Sequence, residues 1–409
     1  MALTVPNHNP KPRSAPRRDA RRLRPAGAGL MAFLLFLLTA LPVGADVVEV
    51  PGPVSNGLWQ FIGLLADDDN PAGLPEMLGP VIDFVMTDKA SSKLYTAERH
   101  FDAPSAYHQF DVSVGLSRIL RFAFNPNIPS ALSSPATVRW SRWVPLSADE
   151  QDLARLATAT LPVRKPLAVR VLEQIENTPD MTSGAYHRYA LNRLLGLYSV
   201  DGRNILVSAS KQLRPSEVGK KGLIVGTDTD WTYLYSEEKG LSVTGLGWVR
   251  SQIYSNYTVS VYVEAGGRVR CATFQWMRAG WSGINMVRRS HLVDGLKRYA
   301  ESFKTVIEHP RLPRADRMEA TCSLIHRLPR ATLKAWFQAY LAELEGRPES
   351  LRDNVKKWIA KYIGPGFFQD DADGQRMEAR LALEWLKQAM GRAGQNSLGS
   401  LAEALGTSG

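Results

Sequence analysis

The feature that most constrains the fold is a pair of alternating segments on either side of Gly266-Gly267. Two adjacent glycines accept the positive φ values of a tight two-residue turn, which predicts a β-hairpin from Tyr257 to Ala265 and from Arg268 to Met277. The turn sets the register, which pairs Tyr257 with Trp276, Val259 with Phe274, Val261 with Ala272, Val263 with Arg270, Thr258 with Gln275, Ser260 with Thr273 and Tyr262 with Cys271. The hairpin therefore has one apolar face and one wetter face.

Similar signals predict further antiparallel strands and a few helices. Asp201-Gly202 predicts a second hairpin that joins Leu197–Val200 to Arg203–Ser210. The other predicted strands are Phe110–Val114, Leu120–Phe124, Val138–Val144, Leu223–Gly226 and Trp231–Tyr235. The helices predicted before the second hairpin are Leu58–Leu65, a helix that follows a capping box at Ser147 and ends near Thr158, and Pro166–Asn177.

After Gly283 the apolar period changes from two residues to 3.6, which predicts a long amphipathic helix from about His291 to Glu308. We expect its apolar stripe to pack against the apolar face of the Gly266-Gly267 hairpin, with Phe303 at the centre. Helical patterns continue beyond Pro313. The predicted fold class is α+β: an antiparallel sheet of hairpins and meanders that grips a long amphipathic helix, followed by a helical C-terminal region. This element order resembles that of helix-grip proteins, whose groove often holds an apolar ligand, but no sequence motif supports the resemblance and no family is recognised.

The patterns divide the chain into five segments. These are a signal peptide (1–45), an N-terminal α+β region (46–180), an antiparallel β-meander with its long helix (181–310), a helical C-terminal region (311–392) and a flexible tail (393–409). The tail is predicted to be flexible because it is rich in Gly, Ser and Ala.

The N-terminus has the pattern of a signal peptide. Basic residues precede an uncharged apolar run from Leu30 to Val43, and a helix of this length spans about 21 Å, less than a hydrocarbon core of about 30 Å. Small residues at Gly44 and Ala45 favour cleavage before Asp46, with an uncleaved anchor as the alternative. The paired arginines leave both Sec and twin-arginine export open. We expect a periplasmic or secreted protein.

Signal cleavage would change the charge balance of the protein. The whole chain has a net charge of +10, whereas residues 46–409 have 43 basic and 39 acidic residues, a net charge of +4. Outside the cytoplasm such a protein is not expected to bind nucleic acid. Residues 284–363 keep 16 basic and 9 acidic residues, which is typical of a solvated helical face, with contact to an anionic envelope surface as the alternative. At most peripheral membrane contact is expected.

The two cysteines, Cys271 and Cys322, both lie in the predicted mature chain. An oxidising compartment favours a disulfide between them. Two buried thiols are the alternative, because the sequence does not give the separation of their Cα atoms.

Catalytic motifs are weak along the whole sequence. No zinc-ligand spacing and no phosphate-binding glycine loop is present, so we predict neither a metal nor a cofactor. Ser208–Lys211 matches S-x-x-K without its companion motifs, and Gly280–Ile284 departs from the spacing of a nucleophile elbow. His187, His291 and Asp294 are the first candidates for a hydrolase whose acid and base groups meet only on folding.

Three functions are compatible with these sequence patterns. The first is an exported, non-enzymatic protein that binds an apolar or amphipathic ligand, or an envelope partner, in a groove between sheet and helix. The second is a structural or assembly role in the cell envelope that uses the C-terminal helices for protein contacts. The third is a hydrolase with dispersed acid and base residues.

Overall fold

The computed structural model describes residues 47–66, 74–89, 93–100, 102–145, 150–181, 183–243, 247–362 and 371–392, together with Leu398 and Leu405. The predicted signal peptide (1–45), the cleavage position at Asp46 and the capping box at Ser147 lie outside these residues.

An eight-stranded antiparallel sheet forms the centre of the structure. The strands of the described chain are β1 (Val47–Glu49), β2 (Leu94–Thr96), β3 (Ser105–Val112), β4 (Val138–Pro145), β5 (Leu167–Asn177), β6 (Ala185–Tyr186), β7 (Arg188–Val200), β8 (Arg203–Gln212), β9 (Lys220–Ile224), β10 (Tyr233–Lys239), β11 (Leu241–Val243), β12 (Gly247–Val249), β13 (Ser251–Ala265), β14 (Arg268–Trp281) and β15 (Ile284–Asn285). The large sheet has the order β15-β14-β13-β8-β7-β5-β4, and β3 also pairs with β14. The remaining strands form small sheets of two or three strands.

The predicted Gly266-Gly267 hairpin is confirmed with its register. Strands β13 and β14 pair from Tyr257 opposite Trp276 to Val263 opposite Arg270. Gly266 and Gly267 have φ values of 60° and 77°. The predicted Asp201-Gly202 turn, which joins β7 to β8, also has positive φ at both residues. Local turn chemistry therefore predicts these pairings correctly.

Nine α-helices are present in the described residues. They are α1 (Gly52–Gly63), α2 (Leu74–Met86), α3 (Leu116–Ala123), α4 (Glu150–Ala157), α5 (Arg289–Ile307), α6 (Ala315–His326), α7 (Arg330–Glu345), α8 (Glu349–Tyr362) and α9 (Asp371–Ala389). The predicted α+β class is confirmed, since a large antiparallel sheet is followed by the helical region α5–α9. Among the described helices, none has the length and apolar character needed to cross a membrane.

The predicted strand Leu120–Phe124 is wrong, because residues 116–123 form helix α3. The buried side chains of Leu116, Ile119, Leu120 and Ala123 follow helical spacing. The alternation that predicted a strand extends over only three apolar residues, too few to distinguish the two periods.

The predicted helix Pro166–Asn177 is also wrong, because this segment forms strand β5. Val169, Val171 and Ile175 are buried at alternate positions, and the buried Glu173 occupies the position between them in the same series. Carboxylates are almost never buried unless they are paired, so the sequence pattern assigns this glutamate to the solvent side. The two-residue alternation of buried positions is therefore not visible in the sequence. The partner of Glu173 is Arg193 on β7, which the sequence does not identify.

The two faces of the large sheet are covered by different parts of the chain. Helices α1 and α2 pack on the apolar hairpin face, which includes Val259, Val261 and Phe274. Helix α5 lies on the opposite face, where Phe303 packs with Phe110 and Tyr262. The predicted packing of α5 on the apolar face is therefore wrong. Helices α1 and α2, which precede the large sheet in the sequence, cover the apolar face. Helix α5 does not cover it, although α5 follows the hairpin more closely in the sequence.

Helix α1 approaches α2 closely because Gly57 has no side chain. A Cβ atom at this position would lie 2.6 Å from the backbone oxygen of Met77. The close approach buries Leu58, Phe61 and Leu78 in the same core as the apolar sheet face.

Buried ion pairs connect helix α9 to the sheet. Glu176 on β5 pairs with Arg139 on β4 and with Arg376 on α9. One turn further along α9, Nη1 of Arg380 donates to the backbone oxygen of Trp231 at 2.8 Å. These contacts position the C-terminal helix although it follows β5 by almost two hundred residues.

The predicted flexible tail, 393–409, lies mostly outside the described residues. Its two described residues, Leu398 and Leu405, are buried. The Nε1 atom of Trp385 on α9 donates to the backbone oxygen of Leu405 at 3.2 Å.

Candidate functional site

The first residue suggested for a hydrolase, His187, is buried next to Ser251. Its Nε2 atom lies 3.2 Å from Oγ of Ser251, and burial lowers the pKa of His187 to about 4. A Cβ atom on Gly219 would lie 2.6 Å from Nε2 of His187 and 2.7 Å from Oγ of Ser251. The backbone of Gly219 therefore covers this pair. The contact is a hydrogen bond in a closed interior that leaves no room for a substrate carbonyl.

The other suggested hydrolase residues, His291 and Asp294, lie exposed near the start of α5. Nδ1 of His291 accepts a hydrogen bond from the backbone N–H of Arg288 at 3.4 Å. Within the described residues, no hydrogen bond or ion pair joins either residue to His187. The structure therefore does not bring the three candidates together.

The S-x-x-K sequence, Ser208–Lys211, lies on β8. Residues three apart on a strand point to opposite faces, so Ser208 and Lys211 are separated by the sheet. Oγ of Ser208 accepts a hydrogen bond from Nη1 of Arg193 at 2.8 Å, and Lys211 is exposed on the other side.

A polar surface occupies the centre of the sheet face that carries α5. Eight side chains form it, and we call them the polar floor: His108, Arg193, Ser208, Ser210, Thr258, Ser260, Thr273 and Gln275. His108, Thr273, Ser260 and Ser208 are cross-strand neighbours in one row across β3, β14, β13 and β8. Gln275, Thr258, Ser210 and Arg193 form the adjacent row. Antiparallel register thus brings together residues that are far apart in the sequence.

The polar floor combines buried and partly exposed groups. Ser208, Ser210 and Thr273 are buried. The other five residues of the floor remain partly exposed although they lie in the middle of the sheet. Oγ of Ser260 and Oγ1 of Thr273 share a hydrogen bond of 3.0 Å. By contrast, the hydroxyl of Thr258 has no hydrogen-bond partner within the part of the chain that the structure describes.

The charge of Arg193 is neutralised at one end of the floor. Its Nη2 lies 2.6 Å from Oε2 of Glu173, whose Oε1 also accepts a hydrogen bond from Oγ of Ser130 at 2.9 Å. Its guanidinium carbon lies 5.7 Å from the ring centroid of Trp143, close enough for a cation–π contact. Nε1 of Trp143 is buried and has no hydrogen-bond partner among the described residues.

Two tyrosines border the floor, and the neutral imidazole of His108 forms its other end. The hydroxyls of Tyr262 and Tyr299 lie 3.2 Å apart, and burial raises the pKa of Tyr262 to about 12. Burial lowers the pKa of His108, and the nearby Lys297 ammonium lowers it further. Apart from the Arg193–Glu173 ion pair, the floor and its border therefore present hydroxyl, amide and imidazole groups that are uncharged at neutral pH.

The two cysteines lie near the same core but are free thiols in the structure. Cys271 is buried on β14 beside Tyr262, and burial raises its pKa well above the ordinary value. Burial also raises the pKa of Cys322, on α6, to about 12. Both thiols are therefore protonated and weakly nucleophilic at neutral pH. The Cys271–Cys322 disulfide stays a prediction.

The sequence indicates the centre of this site but not its two ends. Thr258, Ser260, Thr273 and Gln275 belong to the wetter hairpin face that the alternation predicts. His108 and Arg193 carry no local signal, because only the pairing of β3 and β7 with the rest of the sheet aligns them with the hairpin. Among the described residues, no group of three His, Cys, Asp or Glu side chains could hold a metal ion.

No protein-family model matches this chain, and no curated protein does either.

Proposed function

We propose that this protein is an exported binding protein that holds the polar end of an amphipathic ligand on the polar floor. The observation that supports this is the partial exposure of His108, Arg193, Thr258, Ser260 and Gln275 in the middle of a sheet. Polar groups at the centre of a sheet cost free energy unless they are hydrogen-bonded. Hydroxyl and amide groups with unused donor or acceptor atoms at this place can form hydrogen bonds with a ligand.

The rest of the ligand would contact an apolar edge of the floor. Met277 follows Gln275 by two residues on β14 and therefore points to the same face. Met277, Leu94 and Val287 are partly buried and pack beside Leu292 and Leu296 of α5. An uncharged polar group on the floor and an apolar chain along this edge would match both surfaces. A wholly apolar ligand would leave the hydroxyls of the floor without partners.

We expect ligand occupancy to depend on Thr258. Replacing Thr258 with valine keeps the shape of the side chain but removes a hydroxyl that is open to a ligand. We expect the affinity for the ligand that co-purifies with the protein to fall between about twofold and tenfold, the range for one neutral hydrogen bond. Native mass spectrometry of the purified protein, followed by solvent extraction and identification of the released compound, measures this occupancy.

Thr332→Val is the matched control, because Thr332 lies on α7 away from the sheet. This variant should retain the same bound mass as the unmodified protein. Equal retention of the compound by both variants would contradict binding on the floor. Purified protein without any bound small molecule, from a host that exports it, would contradict the proposed function.

Export is part of this proposal and has its own test. We expect the protein recovered from an exporting host to begin at Asp46, since small residues follow the apolar run just before this position. N-terminal sequencing of the exported protein measures this directly. An intact N-terminus retained in the membrane fraction would show an uncleaved anchor instead.

A further inference from the structure

Three arginines from distant parts of the chain meet around His309, away from the polar floor. Arg118 belongs to α3, Arg311 lies between α5 and α6, and Arg392 follows α9. We call these three residues the arginine cluster. All three are exposed.

Neutral groups position two of the three guanidinium groups. Nη2 of Arg118 donates to the backbone oxygen of His309 at 3.1 Å, and Nη2 of Arg392 donates to the backbone oxygen of Thr229 at 2.9 Å. The guanidinium carbon of Arg392 also lies 4.3 Å from the ring centroid of Trp231, which is buried. These contacts hold the side chains in place without cancelling their charge.

Arg311 closes the cluster from the loop before α6. Its backbone N–H donates to Nδ1 of His309 at 3.1 Å. Its side chain reaches the residue before Arg392, because a Cβ atom on Gly391 would lie 2.5 Å from Nη1 of Arg311. The positive φ of Gly391, 73°, turns the chain there.

The carboxylates closest in sequence to these residues are engaged elsewhere. Glu308 accepts a hydrogen bond from the backbone N–H of Ser113 and pairs with Lys304. Asp316 pairs with Arg314. Near Arg392, Asp228 pairs with Arg298, and Asp230 accepts a hydrogen bond from the backbone N–H of Thr227. In the described part of the chain, no carboxylate forms an ion pair with the arginine cluster.

The lack of an acidic partner distinguishes the arginine cluster from the more buried arginines of the described chain. Arg139, Arg193, Arg298, Arg376 and Arg380 each form an ion pair with a carboxylate. Three adjacent guanidinium groups without such partners repel one another, and a bound anion would relieve that repulsion.

His309 adds a further donor to this surface. Because Nδ1 accepts the N–H of Arg311, the neutral imidazole carries its proton on Nε2. Burial lowers the pKa of His309, and Arg392, Arg311 and Arg118 lower it further. An anion bound among these groups would stabilise the imidazolium and raise that pKa.

We infer that the arginine cluster and His309 bind a phosphate group. Guanidinium groups form paired N–H···O hydrogen bonds that match phosphate oxygens. A phosphate group, as a monoester or a diester, offers more acceptor oxygens than a carboxylate and can therefore accept hydrogen bonds from several guanidinium groups at once. The phosphate could belong to a soluble compound or to a phospholipid headgroup, and the two sources share this chemistry.

Titration with inorganic pyrophosphate tests the site in the full chain. We expect a saturable rise in the midpoint of thermal unfolding, because a ligand that binds only the folded state stabilises it. Arg311→Gln and Arg118→Gln should each weaken pyrophosphate binding by about tenfold, as expected for the loss of one charge-assisted hydrogen bond. Arg314→Gln is the matched control, because Arg314 lies on the same loop but already pairs with Asp316.

Histidine NMR supplies a readout that does not depend on stability. Saturating pyrophosphate should raise the pKa of His309. At constant pH it should not move the imidazole resonances of His326, which is exposed on α6 and pairs with Glu378. Binding to phosphatidylglycerol vesicles but not to phosphatidylcholine vesicles, with loss of binding in Arg311→Gln, would identify a lipid headgroup as the source. A response to pyrophosphate alone would identify a soluble phosphate compound. Equal binding by Arg311→Gln and Arg314→Gln, or no saturable response to either probe, would overturn the inference.

Discussion

Replacing Phe303 with alanine should lower the free energy of unfolding by about 3 to 5 kcal/mol, as core aromatic truncations do. Phe303 is 1% exposed on the inner side of α5. Its ring centroid lies 5.6 Å from that of Tyr299, 6.2 Å from that of Phe110 and 6.4 Å from that of Tyr262. The substitution removes a ring from the contact between helix and sheet and leaves a cavity.

Chemical denaturation of the purified variant measures this loss. Leu324→Ala is the control, because Leu324 is 42% exposed on α6 and its truncation should cost less than about 1 kcal/mol. A double-mutant cycle then tests which sheet face α5 covers. Phe303→Ala should couple with Phe110→Ala and should be additive with Phe274→Ala on the opposite face. The reverse result would mean that α5 packs on the apolar face.

Replacing Glu176 with glutamine should also destabilise the fold strongly, by about 3 to 5 kcal/mol. Glu176 is 1% exposed and pairs with Arg139 and, at 2.8 Å, with Nη2 of Arg376. The neutral amide leaves the Arg139 guanidinium without a carboxylate partner and removes the buried carboxylate from Arg376, which keeps its ion pair with the more exposed Glu237. The ion pairs also connect β4, β5 and α9, so the loss extends to the docking of the C-terminal helix.

Glu237→Gln provides a matched control for this prediction. Glu237 is paired with the same Arg376, at 3.4 Å, but its side chain is 43% exposed. An exposed ion pair contributes at most about 1 kcal/mol, so this variant should unfold at nearly the same denaturant concentration as the unmodified protein. Similar losses in both variants would mean that the burial of Glu176 does not determine its contribution.

The Glu176 pair should also give stability a dependence on acid pH. Burial by itself would raise the pKa of Glu176, but the Arg139 and Arg376 guanidinium groups lower it below the ordinary value. Because the folded state holds the lower pKa, the stabilisation is present above the ordinary glutamate pKa and is lost as the pH falls through the folded value. Denaturation between about pH 7 and about pH 3 should show a smaller acid loss in Glu176→Gln than in the unmodified protein.

The sequence determines the parts of this fold that depend on neighbouring residues. Gly266-Gly267 and Asp201-Gly202 set the register of two hairpins, because a tight turn of positive φ leaves only one way to pair the segments beside it. The apolar stripe of α5 similarly indicates a helix with one buried side. These patterns depend only on residues that are close in the sequence. They predict the right structure where the local preference and the tertiary environment agree.

Tertiary structure decides which surfaces meet, and two errors of the sequence interpretation have this cause. The α5 stripe needs an apolar partner, but its sequence does not state which face of the sheet supplies one. Helices α1 and α2 occupy the apolar face, so Phe303 packs on the other. Likewise, Glu173 interrupts the apolar alternation of strand β5, so the sequence does not show the strand. The carboxylate can be buried there only because Arg193 pairs with it in the folded protein.

The two binding surfaces depend on tertiary structure even more strongly. His108 and Arg193 join the polar floor only because β3 and β7 pair in register with strands far along the chain. Arg118, Arg311 and Arg392 are ordinary exposed arginines in the sequence, and they meet at His309 only after α3, α5 and α9 have packed. Local sequence patterns identify the helix or strand period of each element. A site built from long-range contacts forms only where distant chain segments meet in the folded protein.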